Sequence, residues 1–586
     1  MPTWLALPEP VHHALLVLAP LLPLLLALLG AHAASARWLV RTAPLATLPA
    51  WLLVFAGPAE RAWPDLLLGL VLGIDLPRSA WLVLTLLLWT CATWFGVTYM
   101  AHDEHRRRYQ FFLLGAMSGN IGLILARDPI TFFSFFALMS LMSYGLVIHD
   151  GRPGSLRAGR VYLGMALLGE MLQFAALGLL FFEPAAAAMS GSGLTIDQLA
   201  NRDLSASTIG LLLAGFGVKA GLLGLHMWLP MAHPVAPTPA SAVLSGSMIK
   251  AGLIGWMTFL PLGSAAYPNL GASVAVLGVT GALMAALAGL LQTHPKAVLA
   301  YSSVSQMGLM ISAVGLGLID PATGKLTLWI VLLYALHHGI AKCLLFLSVG
   351  LRTVRPMRGF ETTLFWSGTI FAAIALIGAP FTSGAVAKSH LKYLVKDSVW
   401  IGAPTLGLFL TAAAAGTTIL MFRYLATLRR LQPDPHHTAP ARILLPWLVL
   451  LLATLAATPA AAGWWAKRGG LPPAPMLDAL TLLLPLLAGA VLYALITRAL
   501  RLDTRTEPVI PPGDLVAWLH HAWARIQPTR PAAASVAPPA PPSFSAHPAL
   551  ARLARLEGTL SRWATGLAAI ALAVLLFAAM AWWTGS

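Results

Sequence analysis

The chain has 586 residues, of which 58% are hydrophobic and only 10% charged. Soluble domains carry about a quarter charged residues, so this composition excludes an ordinary soluble protein and indicates a polytopic membrane protein, for which chain length does not count domains. The formal charge of +16 does not indicate a nucleic-acid partner, because the basic residues lie between apolar spans and not along one stripe.

A helix needs about 20 apolar residues to cross a bilayer. About sixteen stretches qualify, beginning near residues 11, 38, 79, 109, 130, 159, 208, 239, 270, 297, 327, 362, 403, 441, 476 and 563. The first has no basic segment before it and no clear cleavage site after it, so it reads as a retained span. Charge alternates from loop to loop. Loops after odd-numbered spans hold Arg37 and Arg41, Arg106 to Arg108, Arg152, Arg157 and Arg160, Lys296, Arg352, Arg355 and Arg358, and finally Arg423, Arg429, Arg430 and Arg442. Even-numbered loops are poorer in Lys and Arg and include Glu60, Asp65, Asp128 and Asp203. Basic loops face the cytoplasm, so the N-terminus is expected on the opposite, outer side.

Two spans are interrupted. The seventh runs through Lys219 into Pro230, Pro234, Pro237 and Pro239; the twelfth contains Gly378-Ala-Pro380-Phe-Thr-Ser-Gly384, followed by Lys388. Broken helices five spans apart, each with a lysine close by, suggest an inverted five-helix repeat. Two ordinary proline kinks are the plainer alternative. The expected organisation is N-terminal helices over 1–108, two half-channels over 109–262 and 263–430, and further spans over 431–500. An amphipathic and Pro-rich linker over 501–561 and a last helix over 562–586 complete it. Within the linker, Asp514–Gln527 could form a short surface helix, and Ala537 to Pro542 read as polyproline.

An ammonium at membrane depth is costly unless paired or hydrated, yet Lys219, Lys250, Lys342, Lys388 and Glu170 all sit in apolar surroundings, with His226, His337 and His338 nearby. Desolvation disfavours the charged form of any group, so a buried amine can exchange a proton near neutral pH and a moving countercharge can switch it. Imidazoles suit relay steps in the same range, and Pro and Gly beside the lysines free carbonyls and admit water. The alternative for each lysine is snorkelling to an interface. Lys392 and Lys396 read that way, and Lys296 beside Pro295 reads as a cytoplasmic anchor. His337 and His338 could instead bond backbone carbonyls, and His233 reads equally as a fixer of its loop. Tyr301, Ser302, Ser303, Ser305 and Gln306 form a patch that could line water or bond neighbouring helices. Cys91 and Cys343 lie inside spans. They form no CxxC, zinc or iron–sulfur pattern, and no GxGxxG opens a strand–helix unit, so no cofactor and no metal is expected.

Four ordered segments carry a resemblance: Lys219 through His226-Met-Trp-Leu-Pro-Met-Ala-His-Pro to Lys250; His294-Pro-Lys-Ala-Val-Leu-Ala-Tyr301 to Gly308; His337-His338-Gly-Ile-Ala-Lys342; and Gly378 to Lys388. Over roughly residues 95–430 the chain resembles the antiporter-like, proton-translocating subunits of respiratory complex I, membrane-bound hydrogenases and Mrp Na⁺/H⁺ antiporters. The wording around Lys250 is nearer the hydrogenase and Mrp branch. The resemblance implies an all-α fold of about fourteen core transmembrane helices with two inverted five-helix bundles, here with about two more. It implies a hydrated midplane line in which Lys219 is the central lysine of the first half and Lys250 the next relay. His337, His338 and Lys342 continue the line, and Lys388 is the exit-side lysine; His226 is a plausible relay. The partners implied are other membrane subunits, lipid, and protons or Na⁺.

One departure matters. The family's fifth span carries a glutamate that partners the lysine of the seventh, and the matching position here is Ala137 in Phe135-Phe136-Ala137-Leu138. Glu170, on the sixth span, is expected to replace it. The competing expectation is a lost pair and a subunit that pumps poorly. The leading reading is a non-redox, proton-carrying subunit of a redox-driven complex. The alternatives are a Na⁺/H⁺ antiporter subunit, the membrane partner of an energised inorganic-carbon uptake system, and a structural bridge between neighbours.

Overall fold

The computed structural model describes residues 7–31, 41–66, 69–182, 196, 204–434, 438–473 and 479–513. Among these, twelve helices are long and apolar enough to cross a membrane. In chain order the elements are α1 (Glu9–Ala31), α2 (Leu48–Ala56), β1 (Ala59–Trp63), β2 (Leu70–Ile74), α3 (Leu76–Tyr99), α4 (Arg106–Leu125), α5 (Pro129–Val147) and α6 (Pro153–Phe182). Next come α7 (Ala206–Ala220), α8 (Trp228–Val235), α9 (Thr238–Phe259), α10 (Pro268–Leu290), α11 (Pro295–Ile319) and α12 (Pro321–Val354). The last are α13 (Phe360–Ile377), α14 (Ser383–Asp397), α15 (Ala403–Arg430), α16 (Leu444–Ala466) and α17 (Ala479–Ala499).

The span expected near residue 38 is a correction. It is a short helix, α2, entered through a 3-10 turn, and it stops where Gly57 takes φ 100° ahead of Pro58. An antiparallel hairpin follows, with Ala59 opposite Ile74. The all-α expectation missed it because β2, Leu-Val-Leu-Gly-Ile, is buried throughout and has no alternation to read. The hairpin is tied to the α4–α5 turn. Val71 N–H donates to Asp128 Oδ2 at 2.8 Å, and Arg127 reaches Asp75 at 2.5 Å and Glu60 at 3.3 Å.

Helix ends follow local chemistry. Asp75, Asp128, Ser205 and Asp320 cap α3, α5, α7 and α12 by accepting first-turn N–H groups. Three of these caps, Asp75, Asp128 and Asp320, are acids, which also complement the positive end of the helix dipole. At the centre, α11 and α12 are wholly buried in their apolar windows, whereas α17 is only 17% buried. Small residues let α10 and α11 approach: a Cβ on Gly308 would lie 2.4 Å from the Gly278 carbonyl.

Both expected interruptions are present. α7 ends on Gly221 (φ 77°, ψ 36°) and α13 on Gly378 (φ 88°, ψ 36°), the same left-handed cap. α8 and α14 resume beyond them. After α17 the chain turns back: Val509 N–H donates to Leu291 O at 3.2 Å and Gln292 Nε2 to Ile510 O at 2.9 Å. The surface helix expected at 514–527, the Pro-rich stretch and the span near 563 lie outside the described residues.

Candidate functional site

The first group sits where α5, α6, α7 and α8 meet. Lys219, on the last turn of α7, is 5% exposed. Its Nζ donates to Tyr162 Oη at 3.0 Å and to Ser140 Oγ at 3.4 Å. It also lies 5.3 Å from the Tyr162 ring and 5.4 Å from the Trp228 ring, a cation–π cradle. Trp228 is held by donating Nε1 to Val218 O at 2.8 Å, taking up a carbonyl that the break releases. Glu170 is on α6, also 5% exposed, and its Oε1 has no hydrogen-bond partner. Ser140 stands between the two charges, because its hydroxyl also interacts with the Glu170 carboxylate. A cavity of about 10 Å³ opens beside Lys219, Ser140 and Tyr162, room for about one water.

The second group is held by carbonyls. In α9 a π-turn over Leu244–Met248 shifts the ladder by one residue, with Ile249 N–H bonded to Leu244 O. The Ser245 carbonyl takes the Lys250 ammonium at 2.6 Å. Lys342 on α12 donates to Leu299 O at 2.9 Å, and Lys388 on α14 donates to Ile377 O, the last residue of α13, at 2.5 Å. Between them, His338 is fully buried with both ring nitrogens unbonded and lies in the field of Lys250 and Lys342. His337 Nδ1 pairs with Ser383 Oγ at 2.9 Å, and its ring lies in the field of Lys388 and Lys250. Lys250, His338, Lys342, His337 and Lys388 are thus all buried, each in the electrostatic field of at least one other of the five. Among the described residues none of these three lysines has a carboxylate partner. His226 is buried at the first break, on the turn between α7 and α8.

The α11 patch divides. Gln306 is spent on interhelical bonds to Thr417 and Tyr334, and Ser303 on Ser245, whereas the Ser302 and Ser305 hydroxyls are buried without partners. Beside Lys250, Asn120 Oδ1 accepts from Ser247 at 2.6 Å and Trp89 at 2.8 Å. Lys296 is a correction: it is no interfacial anchor but is 7% exposed, with Nζ on Ala236 O at 2.6 Å. Its place beside a proline at a span start concealed this. His233 is also corrected, since neither ring nitrogen bonds its loop. Ser140 and Tyr162 were missed, because a hydroxyl in an apolar run signals nothing until its helix is oriented.

A family model described as NADH:quinone oxidoreductase/Mrp antiporter, TM matches residues 126–411. Hydrogenase-4 component B of Escherichia coli is 34% identical over 285 residues, 46% of this chain and 41% of that protein. The putative antiporter subunit mnhA2 of Staphylococcus saprophyticus is 28% identical over 305 residues, 49% of this chain and 38% of that protein. The chain thus spans about two fifths of the length of these two curated relatives. The solved structure of an Mrp complex from a Dietzia species superposes on 97% of this chain and 62% of the matched chain, with a TM-score of 0.66 at 20% identity, a likeness of fold.

Proposed function

We propose that this chain, which belongs to the antiporter-like membrane subunits of the complex I, hydrogenase and Mrp superfamily, carries protons across a bacterial inner membrane within a redox-driven complex. The observation that carries the reading is how the buried lysines are held. Lys250, Lys342 and Lys388 each donate to a backbone carbonyl and to no carboxylate among the described residues. A neutral amine still has N–H bonds to donate, so the carbonyl stays satisfied when the proton leaves. A buried carboxylate partner would instead pin the charge, since breaking such a pair costs about 3–5 kcal/mol. Histidines with unbonded nitrogens fill the gaps between the lysines.

In this reading Glu170 supplies the countercharge absent at Ala137. A shift of that carboxylate toward or away from Ser140 and Lys219 changes the cost of the Lys219 proton. The change passes to Lys250, to His338, Lys342 and His337, and out through Lys388. In this reading the driving redox reaction belongs to neighbouring subunits.

The test is purification of the intact assembly, identification of its subunits, and measurement of proton uptake by native vesicles with Lys219→Ala. Iron–sulfur absorbance and loss of uptake at normal assembly are the expected results; intact coupling in Lys219→Ala would overturn the reading. A Na⁺/H⁺ antiporter is the second reading, favoured by the similarity to the Staphylococcus antiporter subunit. Small co-purifying subunits and Na⁺-dependent proton release would select it.

A further inference from the structure

We propose that His233 and Lys296 form a second intake arm, which delivers protons from the face expected to be cytoplasmic to Lys342 without passing Lys219. The inference rests on the proton-carrying reading and adds an entrance to it. His233 is 0% exposed on α8, and both of its ring nitrogens lack a hydrogen-bond partner. Leaving such groups buried and unbonded costs roughly 1–3 kcal/mol each, a cost that a purely structural site would avoid with Phe or Leu. The ring is held by stacking on Phe346, with centroids 4.7 Å apart.

Two lysines act on this ring, and their bonds link the end of α8, α11 and α12. Lys296, on the first turn of α11, reaches Ala236 O, three residues past His233. Lys342, one turn before Phe346 on α12, reaches Leu299 O, three residues past Lys296. Both ammonium groups lie in the field of the His233 ring. Lys296 in turn lies in the field of Asp150, in the α5–α6 loop, which also carries Arg152, with Arg157 just inside α6. The order from loop to core is Asp150, Lys296, His233, Lys342.

A proton taken from water at Asp150 passes to the neutral amine of Lys296. The Lys296 ammonium gives it to one nitrogen of His233. The other nitrogen releases a proton to the neutral amine of Lys342, which leaves the imidazole neutral in its second tautomer. Neither lysine bonds the ring in this structure, so each transfer takes a swing of a lysine stem or a bridging water. His338, also buried with both ring nitrogens unbonded and in the field of Lys342, continues the line.

The experiment uses native everted vesicles holding the assembled complex, energised by its electron donor, with proton uptake per turnover read by a pH-sensitive acridine dye. His233→Gln keeps a polar side chain but cannot relay, and Lys296→Gln removes the amine. Closing one of two entrances lowers uptake per turnover about twofold in either variant, and the double variant falls no further. Lys296→Arg gives no rescue, because a guanidinium does not release its proton. Wild-type uptake in His233→Gln and Lys296→Gln, alongside a loss in Lys342→Ala, overturns the arm and leaves the wider reading standing. Unchanged uptake in Lys219→Ala and Lys342→Ala as well removes both. Should His233→Gln fail to assemble, Lys296→Gln against Lys296→Arg decides alone: equal losses support the arm, and full activity in either refutes it.

Discussion

Replacing Glu170 by Gln keeps the shape of the side chain and removes the acid that, among the described residues, acts on Lys219 through Ser140. The size of the effect follows from the bridge. Lys219 Nζ lies 3.4 Å from Ser140 Oγ, and a contact of about 3.5 Å or less on the carboxylate side puts the two charges within about 7 Å of each other. At an effective dielectric of about 20, opposite unit charges at that distance attract by about 2.5 kcal/mol. Each ~1.4 kcal/mol is a factor of ten in rate or equilibrium, so Glu170→Gln should slow proton loading at Lys219 roughly 50- to 100-fold. The assay is single-turnover proton uptake by vesicles carrying the assembled complex, with assembly checked by native gel. The decisive companion is Ala137→Glu in the Glu170→Gln background, which moves the carboxylate to the adjacent turn of α5, three residues from Ser140. Uptake should recover by at least tenfold. Unchanged uptake in Glu170→Gln alone would refute the substitution of one helix for the other, and a loss that Ala137→Glu fails to restore would show that Glu170 acts through packing and not charge.

Two further outcomes follow from the structure. A Cβ at Gly378 would lie 2.7 Å from Lys388 Cδ, on a backbone at φ 88°, so Gly378→Ala should cost about 1–2 kcal/mol. It should also displace Lys388 from the Ile377 carbonyl, lowering the thermal midpoint and proton flux together; Gly154→Ala, which meets nothing within 4 Å, is the control. On the loop side, His149 pairs with Asp103 at 3.1 Å, and burial holds its imidazole below the ordinary value more strongly than Asp103 raises it. The unfolded loop therefore takes up the proton first, and the clamp weakens as pH falls below about 6.5 until the folded pKa is reached. Protection factors over residues 103–109 and 149–152, which remove the intrinsic pH dependence of amide exchange, should fall as pH drops from about 7.5 to 5.5, and His149→Gln should abolish the difference; constant protection in the native chain would contradict the sign.

The spans and both breaks were legible because their signals are strong: apolar runs of helical length, and Gly or Pro at the interruptions. Lys219, Lys250, Lys342 and Lys388 stood out for the same reason, as charges where none is expected. What the sequence could not supply was depth along a helix. Lys296 and Lys392 both lie near span ends, yet Lys296 is buried against Ala236 O whereas Lys392 is half-buried. That difference comes from α8 folding back across the first turn of α11, a tertiary event with no local signature. β2 was lost to a complementary failure, since a short apolar run buried on both faces has no period.

The two halves load their lysines differently, and this bears on direction. Lys219 precedes its break and faces two hydroxyls, two aromatic rings and, through Ser140, one acid. Lys388 follows its break and caps a released carbonyl with no acid among the described residues. Like charges crowded in a low-dielectric interior resist occupancy together, and Lys250 lies in the field of Lys342, His338 and His337. In the proposed reading a proton admitted at either end therefore raises the cost of the next one along, and among the described residues Glu170 is the acid that offsets this cost at Lys219. In that reading a charged Glu170 favours loading of Lys219, and weakening of that pull releases the proton toward Lys250 and Lys388. Neutralising Glu170 removes that pull, so loading at Lys219 slows while the carbonyl-held lysines beyond it keep their places.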